Sequence, residues 1–228
     1  MTPGTAEQPE EPRRQRALFG AKEPSFDRSF AHLERVWLDP ECWIDHAAAW
    51  VTGADALFDA VCAAREWRQR TRRLWDADRL EPRLTSVWRK AADPPLRPVL
   101  LEEMRRVLSE HYGVSFDSVG FNLYRNGRDS VAWHADKIRR EIATPIVALV
   151  SLGASRRFLL RPRAGPTARR FVLGDGDLLV TGGRTQRTWQ HCVPKVAHAG
   201  PRISLAFRHG MSDDAYGGTA EHGQEKTS

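Results

Sequence analysis

The chain has 228 residues, 41% of them hydrophobic and 28% charged, and a formal net charge of +6. That length can bury a substantial core, and no apolar run is long enough to cross a bilayer. Three cysteines, Cys42, Cys62 and Cys192, form no close-spaced pair, which excludes a disulfide framework or zinc knuckle and fits a reducing compartment. The basic balance is compatible with nucleic acid but equally with solvated basic faces.

Residues 1–16 are polar and lack the apolar segment of a signal peptide, so they read as a disordered tail and a cytoplasmic protein is expected. The region 17–117 reads as mainly helical, with helices expected over 41–50, 54–66 and 98–111. The second carries Leu57, Val61 and Ala64 on one face, and the third Leu101, Met104 and Leu108 at helical spacing. Between them, 68–89 is rich in arginine and contains two tryptophans, more like a hairpin or loop.

From residue 118 the pattern changes to short apolar segments separated by glycine-rich turns. Strands are expected near 119–125, 145–152, 156–161, 169–173, 177–181, 188–193 and 202–209. Such a series over 118–210 implies a sandwich or closed barrel, with the helices packed outside. Residues 211–228 are polar and glycine-containing and read as a second disordered tail. Nothing in the pattern demands a dimer or a membrane, so a monomer is expected.

The chemistry concentrates in the second half. His134 and Asp136 lie two apart, so an extended backbone turns both to one face, and His191 on a later strand can complete a set of three. Two imidazoles and one carboxylate with open positions suit non-haem iron(II). In 202–209, Arg202, Ser204, Ala206 and Arg208 share one face, while Ile203, Leu205 and Phe207 share the other. Turned inward, two arginines need an anion; turned outward, they would simply be solvated. Asn122 and Tyr124 likewise share a strand face and could donate to carboxylate oxygens. Cys192 falls on the strand face opposite His191 and is not counted as a ligand.

In order along the chain stand Pro82-Arg83-Leu84-Thr85, Asn122-Leu-Tyr124, Asp129-Ser130, Trp133-His134-Ala135-Asp136, Ser151-Leu152-Gly153, Arg157-Phe158, Gly176-Asp177-Leu178-Leu179, His191 and Arg202-Ile-Ser-Leu-Ala-Phe-Arg208. This ordered set resembles the AlkB family of Fe(II)/2-oxoglutarate-dependent dioxygenases over roughly 65–209. The resemblance implies an α+β chain built on a double-stranded β-helix, or jelly-roll, core. It implies that His134, Asp136 and His191 bind Fe(II), and that Asn122, Tyr124, Arg202 and Arg208 hold 2-oxoglutarate. With O2 these would hydroxylate an N-alkyl carbon of a base in DNA, with RNA also within reach, releasing formaldehyde from an N-methyl group.

Such chemistry requires the base to leave its stack. Within 68–89, Arg68, Arg70, Arg72 and Arg73, with Arg83 at its far end, could meet phosphates and Trp75 could stack on the extruded base; Trp88 and Trp189 are further aromatic candidates. Two departures stand out. The run Lys137-Ile-Arg139-Arg140 replaces the acidic residues that many relatives carry after His-x-Asp, and Ser204 and Ala206 stand where more polar residues are common. Two other readings stay open: a 2-oxoglutarate-dependent hydroxylase of a protein or small molecule, and a non-catalytic nucleic-acid-binding barrel.

Overall fold

In the computed structural model, the described residues are 22–74, 77–163, 165–166 and 169–211. The expected tails at 1–16 and 211–228 lie outside them, except for Met211, which bridges to Ile138; Trp75 also lies outside. The first half is only partly helical. It opens with β1 (Ser25–Phe26), β2 (Glu34–Asp39), β3 (Cys42–Ala47) and β4 (Val51–Thr52), then α1 (Ala54–Ala64). A hairpin of β5 (Arg68–Leu74) and β6 (Ala77–Arg89) precedes α2 (Val99–Tyr112). The second half contains β7 (Phe116–Tyr124), β8 (Val131–His134), β9 (Val147–Gly153), β10 (Arg156–Pro162), β11 (Arg169–Leu173) and β12 (Leu178–Gly183). The short α3 (Thr185–Thr188), β13 (Trp189–Val193) and β14 (Arg202–His209) complete it.

The expected helix over 41–50 is therefore a correction: residues 42–47 form a strand. Cys42 and Ile44 enter the core between the sheets, while Trp43 and Ala47 pack on the opposite side. With both faces covered, the alternation of polar and apolar residues that marks a strand is lost. The two other expected helices and the hairpin form where the periodicity placed them. In α2, Gly113 ends the helix at φ 64, and the next amide, Val114 N, returns to the Ser109 carbonyl at 3.1 Å. Glycine suits that left-handed position because it has no Cβ to clash.

Two antiparallel sheets carry the core. The larger has the order β2-β3-β12-β9-β14-β7-β6-β5, and the smaller β11-β10-β13-β8. Together they form the jelly-roll core. Strand alternation divides the apolar residues into two layers. Ile203, Leu205 and Phe207 of β14 join Leu57, Phe58 and Val61 of α1 and Leu101, Met104 and Leu108 of α2 on the outer side of the large sheet. Leu149, Leu179 and Ala206 meet Phe158, Leu160 and Leu173 between the sheets. The helices thus cover one face of the large sheet, and the other face is left to line the interior.

The hairpin has a distinct geometry. β6 pairs with β7 only from Leu84 onward, whereas its earlier residues pair with β5 alone. The arm Arg68–Arg83 therefore extends past the sheet, beside a cleft of about 730 Å³. Leu108 sits in the helix–sheet layer at 0% exposure. Leu108→Ala should lower unfolding free energy by about 2–5 kcal/mol, read from urea denaturation; a change below about 0.5 kcal/mol would contradict this packing.

Candidate metal centre and anion pocket

β8 and β13 run antiparallel with His134 opposite His191, so the small sheet itself brings two imidazoles together, with ring centroids 4.3 Å apart. The chain leaves β8 after His134, and Asp136 follows in the irregular segment beyond it. One donor atom from each of His134, Asp136 and His191 lies within 4.8 Å of the others. Phe158 stacks on His191 at 5.0 Å between ring centroids, restricting its ring plane.

The surroundings fix each donor. His134 Nδ1 lies 2.9 Å from the Ala132 carbonyl, which selects the tautomer that donates from Nδ1 and leaves the Nε2 lone pair for an ion. The Asp136 amide donates to Gln186 Oε1 at 2.9 Å, and Gln186 Nε2 donates in turn to Thr181 Oγ1 at 2.9 Å. Arg208 Nε and Nη2 donate to Asp136 Oδ1 at 3.0 and 2.9 Å. Burial pushes the Asp136 carboxyl upward, but Arg208, His191 and His134 outweigh it and hold the group at about 2. Burial, followed by the neighbouring His134, pushes His191 down to about 3; burial also lowers His134. At neutral pH the set is two neutral imidazoles and one carboxylate, the forms that ligate a metal.

β14 crosses the centre of the large sheet and supplies the second part. Arg202 pairs in register with Tyr124 of β7 on one side and Gly153 of β9 on the other. It is 1% exposed, donates from Nε to Ser151 Oγ at 2.9 Å, and has no bonded partner at Nη1. Its guanidinium lies 5.4 Å from the Tyr124 ring, and that of Arg156 lies 5.5 Å from the same ring. Burial lowers the Arg202 pKa, an indication of what its charge costs there. The inward reading of the Arg202–Arg208 face therefore holds, and both arginines are buried.

Asn122 lines the cleft, and its Oδ1 accepts from Arg83 Nε at 2.9 Å. Because arginine can only donate, this bond orients the amide with Nδ2 free to donate elsewhere. Arg83 also pairs with Glu81 Oε2 at 3.1 Å, so it belongs to the cleft wall rather than to an outer basic face. Arg72 and Arg73 fall on β5, described by backbone alone. Trp88 and Trp189 are packing residues, 5% and 6% exposed, with indoles bonded to Pro94 O and Asp39 Oδ2. Cys192 pairs with Leu159 where His191 pairs with Leu160, on the opposite strand face, and burial pushes its thiol up to about 11. Gln186 and Thr181 gave no sequence signal as site residues, whereas Ser151 and Phe158 stand within the ordered motifs without a site role of their own.

A family model described as the 2OG-Fe(II) oxygenase superfamily matches residues 56–208. The alpha-ketoglutarate-dependent dioxygenase alkB homolog 3 of Bos taurus is 37% identical over 175 residues, covering 68% of this chain and 61% of that protein. Its Homo sapiens counterpart is 34% identical over 178 residues, covering 69% and 62%. The DNA oxidative demethylase ALKBH2 of Arabidopsis thaliana is 37% identical over 139 residues, covering 50% and 43%. The chain thus spans 61–62% of the length of the first two relatives. The structure of OsALKBH1 matches with a TM-score of 0.56 at 16% identity, over 76% of this chain and 100% of that one, a likeness of fold.

Gln186→Leu would leave the Asp136 amide without its acceptor. Affinity for a divalent ion at the triad should fall by about 10–100-fold, measured by metal titration; unchanged affinity would remove Gln186 from the support of the site.

Proposed function

Because the chain belongs to the 2OG-Fe(II) oxygenase superfamily, we propose that it oxidatively dealkylates N-alkylated bases in DNA, and in RNA as a second substrate, at the expense of 2-oxoglutarate and O2. The observation that carries this reading is the pairing of two features on the interior of one barrel: an open His134–Asp136–His191 set, and a buried Arg202 whose Nη1 has no protein partner. The second feature fits the cosubstrate. A buried, incompletely bonded guanidinium is costly unless an anion completes it, and one end of a dicarboxylate does so. The donor set of the first suits iron(II). The nucleic-acid part of the reading rests on the relatives, one of which is named a DNA oxidative demethylase.

In this reading His134, Asp136 and His191 hold Fe(II), while Asn122, Tyr124, Arg202 and Arg208 hold 2-oxoglutarate, Arg202 at the far carboxylate. Together with O2 these groups supply an oxidant for an N-alkyl carbon, which leaves as an aldehyde while the base is restored. The protein contributes aim. The Ala132 carbonyl keeps the His134 lone pair directed at the ion. Arg208 holds Asp136 Oδ1 and places positive charge at the near carboxylate. Arg83 turns the Asn122 amide so that it donates. The target base must be extruded to reach this depth, and the overhanging β5–β6 arm is the element placed to hold the strand from which it comes.

His134→Ala or Asp136→Ala should abolish 2-oxoglutarate-dependent demethylation of an N1-methyladenine oligonucleotide while circular dichroism stays unchanged. Turnover by either variant would remove the iron assignment. Arg202→Ala should raise the 2-oxoglutarate concentration needed for half-maximal turnover by at least about 30-fold, the scale of losing one partner of a buried charge pair. An unchanged requirement would take Arg202 out of the cosubstrate pocket.

A further inference from the structure

Arg156 is used by none of the steps above, and its surroundings set it apart from a surface arginine. It opens β10 on the strand face that carries Phe158 and Leu160 into the space between the sheets, and it is 2% exposed. Its hydrogen bonds all end on backbone carbonyls: Nη1 donates to Asn126 O at 3.2 Å, and Nη2 donates to Asp129 O and Pro194 O at 2.7 Å each. Nε has no partner. The Asp129 carboxylate is taken by Arg125, whose Nε and Nη2 donate to it at 2.8 and 3.0 Å. The charge of Arg156 is thus met by carbonyl dipoles rather than by a carboxylate.

Carbonyls alone do not call for a cation, because a neutral amide donor satisfies them at a smaller cost of burial. The neighbour that gives the charge a use is Tyr124. The guanidinium carbons of Arg156 and Arg202 lie 5.5 and 5.4 Å from the centroid of that one ring, Arg156 reaching it from the small sheet and Arg202 from the large one. Both distances are within the range of cation–π attraction. The two cations also repel each other: burial lowers the Arg202 pKa most, Tyr124 opposes that, and the charge of Arg156 lowers it further. Burial likewise lowers the Arg156 pKa. An anion entering beside Tyr124 relieves both costs at once.

Resting on the reading in which Arg202 takes the far carboxylate of 2-oxoglutarate, we propose that Arg156 is a positioning and specificity-determining residue of the same pocket. It fixes the Tyr124 ring between the sheets and adds a second positive charge at the Arg202 end. The ligand class so selected is a 2-oxo dicarboxylate, in preference to a 2-oxo acid of the same length with an uncharged end. The carbonyl bonds of Arg156 also join the segment after β7, the strand of Tyr124, to the segment after β13, the strand of His191. The span between the far anchor and the metal donors is held with them. None of these bonds goes to a metal donor, so Arg156 acts on cosubstrate binding rather than on the oxidation.

The test is calorimetric titration of the Fe(II)-loaded protein, without oxygen, with 2-oxoglutarate and with 2-oxopentanoate, the analogue that lacks the far carboxylate. Arg156→Gln keeps amide donors and removes the charge, whereas Arg156→Lys keeps the charge. Arg156→Gln should cut the preference for the dicarboxylate by about 10-fold, the scale of one charge acting across several ångströms of protein, while affinity for 2-oxopentanoate holds. Arg156→Lys should restore most of the preference. Equal loss of both acids in Arg156→Gln would reduce Arg156 to a structural role, and an unchanged preference would remove it from selection; either result overturns the proposal. Arg202→Ala, with Arg156 intact, decides the matter should the Arg156 variants not fold. It should keep a preference for the dicarboxylate of at least about 3-fold, and loss of all preference would overturn the proposal. Absence of any preference in the unaltered protein would count against the cosubstrate reading itself, whereas a preference that Arg156→Gln leaves intact would count only against Arg156.

Discussion

The site depends on the burial of positive charge along β14. Arg202 is almost fully enclosed, and hydrogen bonding to Ser151 satisfies only part of its guanidinium. Arg208, on the same face, is compensated by Asp136. One strand therefore carries an arginine balanced by a carboxylate at one end and a buried, only partly bonded arginine at the other. Removing a guanidinium from water without a full complement of acceptors is unfavourable by several kcal/mol, so a fold that keeps Arg202 there must gain by binding. In the proposed reading a dicarboxylate cosubstrate would supply that gain and at the same time set its own direction relative to the triad.

The architecture makes this burial possible. β14 lies between β9 and β7 near the middle of the large sheet, and its odd-numbered residues are sealed beneath α1 and α2. That apolar layer fixes the register, because a slip of one residue would exchange Ile203, Leu205 and Phe207 with the arginine face. The small sheet then closes over the polar side and sets His134 against His191 by strand pairing alone. The two histidines and Arg202 thus come from different sheets, and the geometry between them is a property of the sandwich.

Much of this was legible in the sequence, for identifiable reasons. The alternation of 202–209 carries both halves of the argument, a continuous apolar face and a polar face with arginines at its ends. The His-x-Asp pair was legible as a motif, although Asp136 falls just past the end of β8 rather than on the strand with His134. Strands with turn-forming glycines were found to within a few residues. What failed was β3, where Trp43 and Ala47 on one face and Cys42 and Ile44 on the other are all covered, and a run of alanines follows. The bond from Arg83 to Asn122 was not legible, because the two lie thirty-nine positions apart in sequence and are brought together by the β6–β7 pairing. Gln186 and Arg156 act through backbone amides and carbonyls, which carry no residue-specific pattern that could have announced them.

The central claim, that the barrel couples a 2-oxoglutarate-driven oxidation to repair of an alkylated base, is tested most directly by a product balance. Protein loaded with Fe(II) without oxygen is mixed with 2-oxoglutarate, O2 and an N1-methyladenine oligonucleotide, and succinate, formaldehyde and unmodified adenine are followed together. The account predicts that all three appear in equal amounts. Succinate without restored adenine would keep the oxidation and discard this base as its target; no succinate from protein shown to hold iron would contradict the account.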